Sequence, residues 1–393
     1  MSVQQGDFRF AYGTNPHQRR ARVYVTQGHI PFNVLHGRIS YNNLADALHA
    51  WSVASELRHL TGKGVVVAAK YGRLVGASLV SSTTHHSYHD NFKSLVLNEV
   101  VEAALRARDT DPLAAINDWL AVSETVDEEI AKDLTIHQSD GLIAPNFNSL
   151  AIERLQAEGE HFRVIRIDSE VWKSYEQESE ESRFMFGMMF EQERNNIRVV
   201  QDMPLTIATK KTELPPDARL DLLFGMIITK YTPARAVCVV KDGQTLAIAS
   251  GEQSEIESVR VATAKSDLWH VRQLLRLRMS HLKITLSEVE YQIATHWLLA
   301  GDRVSAEARL WQNYLPELDD EFTLQALDKQ RERPSSLALC SSVSFQSRDS
   351  IERAHRSGIT FILQPDVPLP DLVKECDDRG IVLASMGKRM IWR

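Results

Sequence analysis

The chain has 393 residues, 43% of them hydrophobic and 25% charged, and a formal net charge of −7. That length and apolar content suffice for a sizeable core and for two domains of ordinary size, while the acidic balance argues against a general nucleic-acid or membrane-surface binder, which carries a basic stripe. Three cysteines, Cys238, Cys340 and Cys376, show no C-x-x-C spacing, so neither a disulfide framework nor a thiolate zinc site is indicated and a reducing compartment fits.

The amino terminus Met1-Ser2-Val3-Gln4-Gln5-Gly6-Asp7 has neither a basic n-region nor an apolar h-region. No window approaches the roughly 18 apolar residues that a membrane span needs, so a soluble cytoplasmic protein is expected. In chain order, a glycine-opened polar segment, Gly37 to Leu44, leads into a helical pattern over 43–60. A buried strand comes next at 65–69, then Lys70, a turn glycine at Gly72 and a second strand reaching Ala77. Helical periodicity returns at 91–108 and 219–230. Beyond it lie a strand at 236–240, Lys241, a turn glycine at Gly243 and a strand reaching Ala249. Strands at 359–363 and 381–384 flank a helix at 369–379. This alternation predicts an α/β fold with helices on both faces of a central sheet.

The two strand-turn-strand units with K-x-G turns, each behind a long helix, echo one another. Two related subdomains would produce that echo, and so would chance recurrence of a common hairpin. Between them, the charged run 176–181 reads as a solvated connector, and Phe184-Met185-Phe186-Gly187-Met188-Met189-Phe190 as a buried segment joining the halves. The charged stretch 318–334 reads as surface helix and loop.

His85, His86, His89 and Asp90 form the densest group of potential metal ligands, but they lack the H-E-x-x-H spacing of a zinc protease. A polar loop or helix N-terminus is the better reading, and no metal is expected. Neither G-x-G-x-x-G nor a Walker A sequence occurs. Ser254 and Glu257 match the S-x-x-E capping box of a helix that succeeds a strand. Glu255 and Glu257 already supply negative charge there, which disfavours a phosphate at that helix end.

Several segments in order resemble the AICAR transformylase family: Y-G-T-N-P-H-Q (12–18), H-G-R-I-S-Y-N-N-L-A-D-A-L (36–48), A-K-Y-G-R-L-V-G-A (69–77), R-A-R-D-T-D-P-L (106–113), S-D-G-L-I-A-P (139–145) and K-Y-T-P-A-R-A-V-C-V-V-K-D-G-Q (230–244). G-E-Q-S, R-D-S-I-E-R-A-H-R-S-G (348–358) and the terminal lysine-arginine strand continue the series over essentially the whole chain. The resemblance implies transfer of a formyl group from 10-formyltetrahydrofolate, as co-substrate, to an amine. It implies two related three-layer α/β/α subdomains like cytidine deaminase, at 1–196 and 197–393, and a homodimer with shared active sites. The cyclohydrolase domain of the bifunctional enzyme has no counterpart here, so IMP closure is not expected.

By the same resemblance Lys70 is the catalytic lysine, with Tyr71 beside it. Tyr12, Asn43, Asp140, Arg235 and Arg389 fall at acceptor-binding positions, and Leu113, Ile116, Asn117, Ile256, Phe345 and Asp349 at folate-binding ones. The departures from the family cluster around the acceptor. Tyr71 stands for the family's histidine, and tyrosine, with a pKa near 10, is a poor general base at neutral pH. Ala11 and Glu255 replace basic residues that would meet a phosphate, and Arg235 replaces an asparagine with a planar cation. Ala115-Ile116-Asn117-Asp118 and Ser344-Phe345-Gln346-Ser347 reduce the stacking surface of the folate blocks. Three functions are compatible with this pattern: an N-formyltransferase acting on an amine or hydroxylamine other than AICAR in specialised biosynthesis, an AICAR formyltransferase, or a non-catalytic ligand-binding relative. An aliphatic amine or hydroxylamine attacks a formyl donor without the help that the weakly nucleophilic AICAR amine needs, which accords with loss of the histidine.

Overall fold

A computed structural model describes residues 7–25, 28–81, 98–135, 139–175, 179–279 and 336–391. The histidine group 85–90, the start of the helix expected from residue 91, residues 176–178 of the charged run and the stretch 318–334 lie outside the described residues.

The first half contributes strands β1 (Asp7–Arg9), β2 (Arg22–Tyr24), β3 (Phe32–His36), β4 (Val65–Lys70), β5 (Arg73–Leu79), β6 (Trp119–Val122), β7 (Thr125–Val126), β8 (Gly141–Ala144), β9 (Asn146–Phe147) and β10 (Arg163–Ile167). Its helices are α1 (Tyr41–Thr61), α2 (Glu99–Asp109), α3 (Glu128–Thr135), α4 (Ser149–Gln156) and α5 (Ser169–Tyr175). After the ribbon β11 (Glu180–Met185) and β12 (Met188–Glu193) come β13 (Thr206–Ile207), α6 (Pro216–Lys230), β14 (Val237–Lys241), β15 (Gln244–Ala249) and α7 (Glu255–Met279). The chain closes with β16 (Leu337–Ser341), α8 (Arg348–Arg356), β17 (Ile359–Gln364), α9 (Pro370–Asp378) and β18 (Val382–Ser385).

Twelve strands form one mixed sheet in the order β13-β18-β17-β16-β14-β15-β5-β4-β6-β8-β10-β3. Outward from the β15/β5 junction the pattern is the same in both directions: an antiparallel hairpin, an antiparallel neighbour, two parallel steps and an antiparallel edge. Even the register shift recurs, between Ala68 and Ala69 in β4 and between Val239 and Val240 in β14. The echo seen in the sequence is therefore a repeat of topology.

The period-two alternation of the strands sorts the core. Val65, Val67 and Ala69 pack with α1 and α6 on one face, joined by Cys238 and Val240. Val66 and Ala68 meet α2, α3 and α4 on the other face, where Val237 and Val239 meet α7, α8 and α9. Helix α1 starts with a reciprocal cap between Ser40 and Asn43 and stops at Gly62, whose φ of 68° suits a residue without Cβ. In its second half, Glu56 accepts from Lys230 Nζ at 2.7 Å and Tyr231 Oη at 2.8 Å, tying α1 to the end of α6.

One expectation is overturned. The Met/Phe run is not a buried joint but an exposed two-stranded ribbon outside the main sheet, with Phe184 70% and Phe186 87% exposed. Glu180 and Glu181 of the supposed connector belong to its first strand. The physical reason is local: Phe186 and Gly187, both at positive φ, close a tight hairpin turn, and the two strands pair only with each other.

Candidate active site

The strand directions decide which residues can meet. Ala69 pairs with Trp119 and Lys70 with Arg73, so the end of β4 lies beside the starts of β5 and β6. Trp119 pairs with Gly141, which adds the start of β8. Arg73 Nη1 donates to Ser250 Oγ at 3.2 Å, and Val237 faces both Ala249 and Ser341, which brings in the ends of β15 and β16. The ends of β17 and β18 join them through Gln364 and Ser385. One end of the sheet therefore carries Lys70, Tyr71, Leu113, Ile116, Asn117, Asp140, Arg235, Ile256, Phe345, Asp349 and Arg389. Asn43 joins at the start of α1, and the loop of Tyr12 is tied there by Asn42 Nδ2 donating to Thr14 O at 3.1 Å.

The tightest group surrounds the β4–β5 turn. Asp46, buried on α1, accepts from Tyr71 N at 2.9 Å and Gly72 N at 2.6 Å, which fixes a turn in which Tyr71 has φ 52°. The turn leaves Lys70 half-buried, its Nζ donating to the Ile116 carbonyl. The same ammonium stands 5.5 Å from the centre of the Tyr71 ring, which is 78% exposed. Burial raises the Asp46 carboxyl above its ordinary value, opposed by the two backbone N–H groups, while nearby Asp140 also raises it. Asp140 is 3.7 Å from Arg163 Nη1. Asn43 serves the helix cap, its Oδ1 accepting from Ser40 Oγ at 2.7 Å. Of the positions expected to bind folate, Leu113 and Ile116 are half-buried and Asn117 is exposed at φ 59°.

A second group sits across the β5/β15 junction. Arg235 donates to the Gln253 carbonyl and acts on the charge of Glu255, whose carboxyl burial pushes up. Ile256 is half-buried, and Asp349 is exposed in the first turn of α8, where Ser347 Oγ caps its N–H at 3.1 Å. Phe345, 1% exposed, packs in the core with Val237 and Leu246 and offers a stacking ring no open face. Arg389 gives two bonds to Asp366 Oδ2, 2.8 Å from Nε and 2.6 Å from Nη2.

These groups do not converge within one chain. Arg389 is held at the end of β17, five strand positions from β4, and at the usual interstrand spacing that is roughly 24 Å. Asp46 lies within the 36–48 block but is not among the expected site residues, and no motif marks Asp366. A carboxylate on the apolar face of the 43–60 pattern was the available signal for Asp46; Asp366 had none. A cavity of about 1030 Å³ lies elsewhere, between the second half of α1, α5 and the ribbon, lined by Trp51, Glu56, His59, Trp172, Arg194 and Tyr231. Among the described residues no cluster of three or more His, Cys, Asp or Glu side chains is placed to hold a metal ion, and no helix is long and apolar enough to cross a membrane.

The family model described as AICARFT/IMPCHase bienzyme matches residues 2–265. The chain belongs to that family. The bifunctional purine biosynthesis protein PurH of Aquifex aeolicus (strain VF5) is 30% identical over 385 residues, covering 96% of this chain and 58% of that protein. PurH of Clostridium botulinum (strain Loch Maree / Type A3) is 26% identical over 255 residues, 64% of this chain and 45% of its own length. The chain thus spans about half the length of the curated relatives it matches. The family match takes in Lys70, Asp140 and Arg235, whereas Phe345, Asp349 and Arg389 lie beyond it.

Proposed function

We propose that this chain is an N-formyltransferase that takes the formyl group of 10-formyltetrahydrofolate and places it on an amine or hydroxylamine of a small acceptor other than AICAR. The observation that carries the reading is Lys70, a half-buried ammonium held at the sheet end by the turn that Asp46 fixes, in a member of this family. The partly exposed Leu113 and Ile116 beside it supply apolar contact of the kind a folate ring needs.

The folate would supply the formyl carbon. As the acceptor nitrogen bonds to that carbon, negative charge grows on the formyl oxygen. An ammonium fixed beforehand at that place stabilises the charge without reorganising. The acceptor nitrogen then loses a proton, the bond from the formyl carbon to the folate nitrogen breaks, and that nitrogen is protonated. Tyr71 in place of histidine, Ala11 and Glu255 in place of basic residues, and Arg235 in place of asparagine support an acceptor unlike AICAR.

Within this reading, residues 1–196 and 197–393 are two units of cytidine-deaminase-like form, which the mirrored strand order supports. The active unit is a homodimer whose sites combine both copies. The separation of Lys70 from Arg389 supports this, because one small acceptor cannot reach both within a chain. The ribbon supports it too: its Phe and Met side chains expose on the order of 700 Å² of apolar surface, close to the roughly 800 Å² each partner buries in a standard interface.

Calorimetric titration with a stable 10-formylfolate analogue tests the reading. Saturable binding that weakens in Asp349→Ala, together with formylation of amines but not of AICAR, is the expected result. Absence of analogue binding overturns it.

A further inference from the structure

Arg389 is the expected acceptor-binding position furthest from Lys70, and its exposed guanidinium is already engaged by a carboxylate along one edge. Asp366 Oδ2 accepts from its Nε and Nη2 at 2.8 and 2.6 Å and from Ser344 Oγ at 2.7 Å. The backbone that carries this carboxylate is held as well. Gln364, fully buried, donates through Nε2 to the Asp366 carbonyl at 2.8 Å, and its Oε1 accepts from Phe345 N at 3.1 Å. Phe345 and Asp366 are thus joined at the backbone by one side chain, while Ser344 Oγ and Arg389 hold the Asp366 carboxylate itself.

The same segment carries a second carboxylate on its other side. Glu255, 7% exposed, accepts from Gln346 N at 3.4 Å and feels the positive charge of Arg235. Arg389 is therefore paired with an acid at contact distance, while Arg235 lies only within electrostatic range of one.

We propose that Asp366 is a specificity-determining residue that cancels Arg389 toward anions, so that the acceptor bound here is a neutral or zwitterionic amine and not a phosphate ester. The inference rests on the formyltransferase reading for the word acceptor, but the exclusion of anions belongs to the Arg389–Asp366 pair itself. A zwitterion fits such a pair, with its carboxylate at a guanidinium edge and its ammonium at a carboxylate. A phosphate dianion instead meets a like charge held within hydrogen-bonding distance of the cation it would bind.

Inorganic phosphate is the probe, titrated calorimetrically into the full chain at neutral pH and low salt. The wild type should show no saturable phosphate binding at millimolar concentration. Asp366→Asn, which keeps the shape and removes the charge, should bind phosphate at least about tenfold more tightly. That gain should vanish when Arg389→Ala is added, while Arg389→Ala alone should leave the weak wild-type response unchanged. Phosphate binding by the wild type equal to that of Asp366→Asn overturns the proposal, as does a gain that survives loss of Arg389 or no gain at all. Circular dichroism confirms that each variant is folded. Titration of the same proteins with the 10-formylfolate analogue separates the two readings: loss of analogue binding with the phosphate result intact sinks the formyltransferase alone.

Discussion

Asp46 and Asp221 hold the two hairpin turns in the same way. Asp46 accepts from Tyr71 N and Gly72 N at 2.9 and 2.6 Å, and Asp221 from Asp242 N and Gly243 N at 2.9 and 2.8 Å. In each turn both residues have positive φ, 52° and 70° in the first, 51° and 70° in the second. One buried helix carboxylate per repeat thus replaces the backbone acceptors that a strained turn lacks. The lysines that precede the two turns have diverged: Lys70 reaches the Ile116 carbonyl, whereas Lys241 pairs with Asp242 at 3.1 Å.

The Asp221 carboxyl is pushed up to about 6 by burial, against the pull of the two N–H groups. The folded state then holds a proton that the unfolded state has already released, so stability falls as pH rises from about 4 to about 6 and the contribution is flat above that. A shift of this size corresponds to about 3 kcal/mol. Denaturant unfolding of wild type and Asp221→Asn from about pH 3 to about pH 7 should show the wild-type advantage shrinking by about that amount as pH rises, most of it between about 4 and 6. A difference that stays constant with pH would refute the assignment.

Gly76 in β5 lies where α2 crosses the sheet, and a Cβ there would overlap the Ala107 carbonyl oxygen and Thr110 Oγ1. Backbone cannot yield cheaply, so Gly76→Ala should destabilise by about 2–4 kcal/mol. Gly13→Ala, whose added methyl would meet nothing closer than 3.6 Å, serves as the control and should cost less than about 1 kcal/mol. Equal effects in chemical denaturation would contradict the close approach.

Much of this architecture is legible in the sequence because the signals are local and agree with packing. The 65–77 and 236–249 units are hairpins since β-branched runs flank turns that only a few residues tolerate, and Lys70 lies where its block places it. The Phe184–Phe190 run misleads because apolar composition states a preference for burial but not what provides it. Asp366 escapes notice for the opposite reason: its importance lies in Arg389 and Ser344, each more than 20 residues away in the chain, and no spacing encodes that meeting.

Glu56 binds Lys230 and Tyr231 in a pocket where the two charged side chains are only 6% and 8% exposed. Its Oε1 also accepts from Val199 N at 3.3 Å, so one carboxylate joins α1, α6 and the segment leading into the second repeat. Glu56→Ala leaves the Lys230 ammonium buried without its counter-charge and should cost about 3–5 kcal/mol. Replacing both residues, Glu56→Met with Lys230→Met, should recover much of that loss. Unfolding curves of the single and double variants decide it, and a double variant no more stable than Glu56→Ala would argue against a desolvated pair.

Lys70 and Tyr71 are neighbours with opposite exposures, and their substitutions should separate accordingly. Lys70→Ala removes the ammonium fixed at the β4 end of the candidate site and should lower formyl transfer by about 10²–10³ with little change in folate-analogue affinity. Tyr71→Phe keeps the backbone N–H that Asp46 holds and removes only a hydroxyl on a ring 78% exposed, so turnover should change by less than about threefold. Tyr71→His should not by itself confer AICAR formylation, because Ala11, Glu255 and Arg235 remain. Steady-state rates with a panel of amines and with AICAR test all three. A Tyr71→Phe enzyme as impaired as Lys70→Ala would mean that the phenol takes part in proton transfer, and an AICAR-active Tyr71→His enzyme would restore the purine substrate to the site.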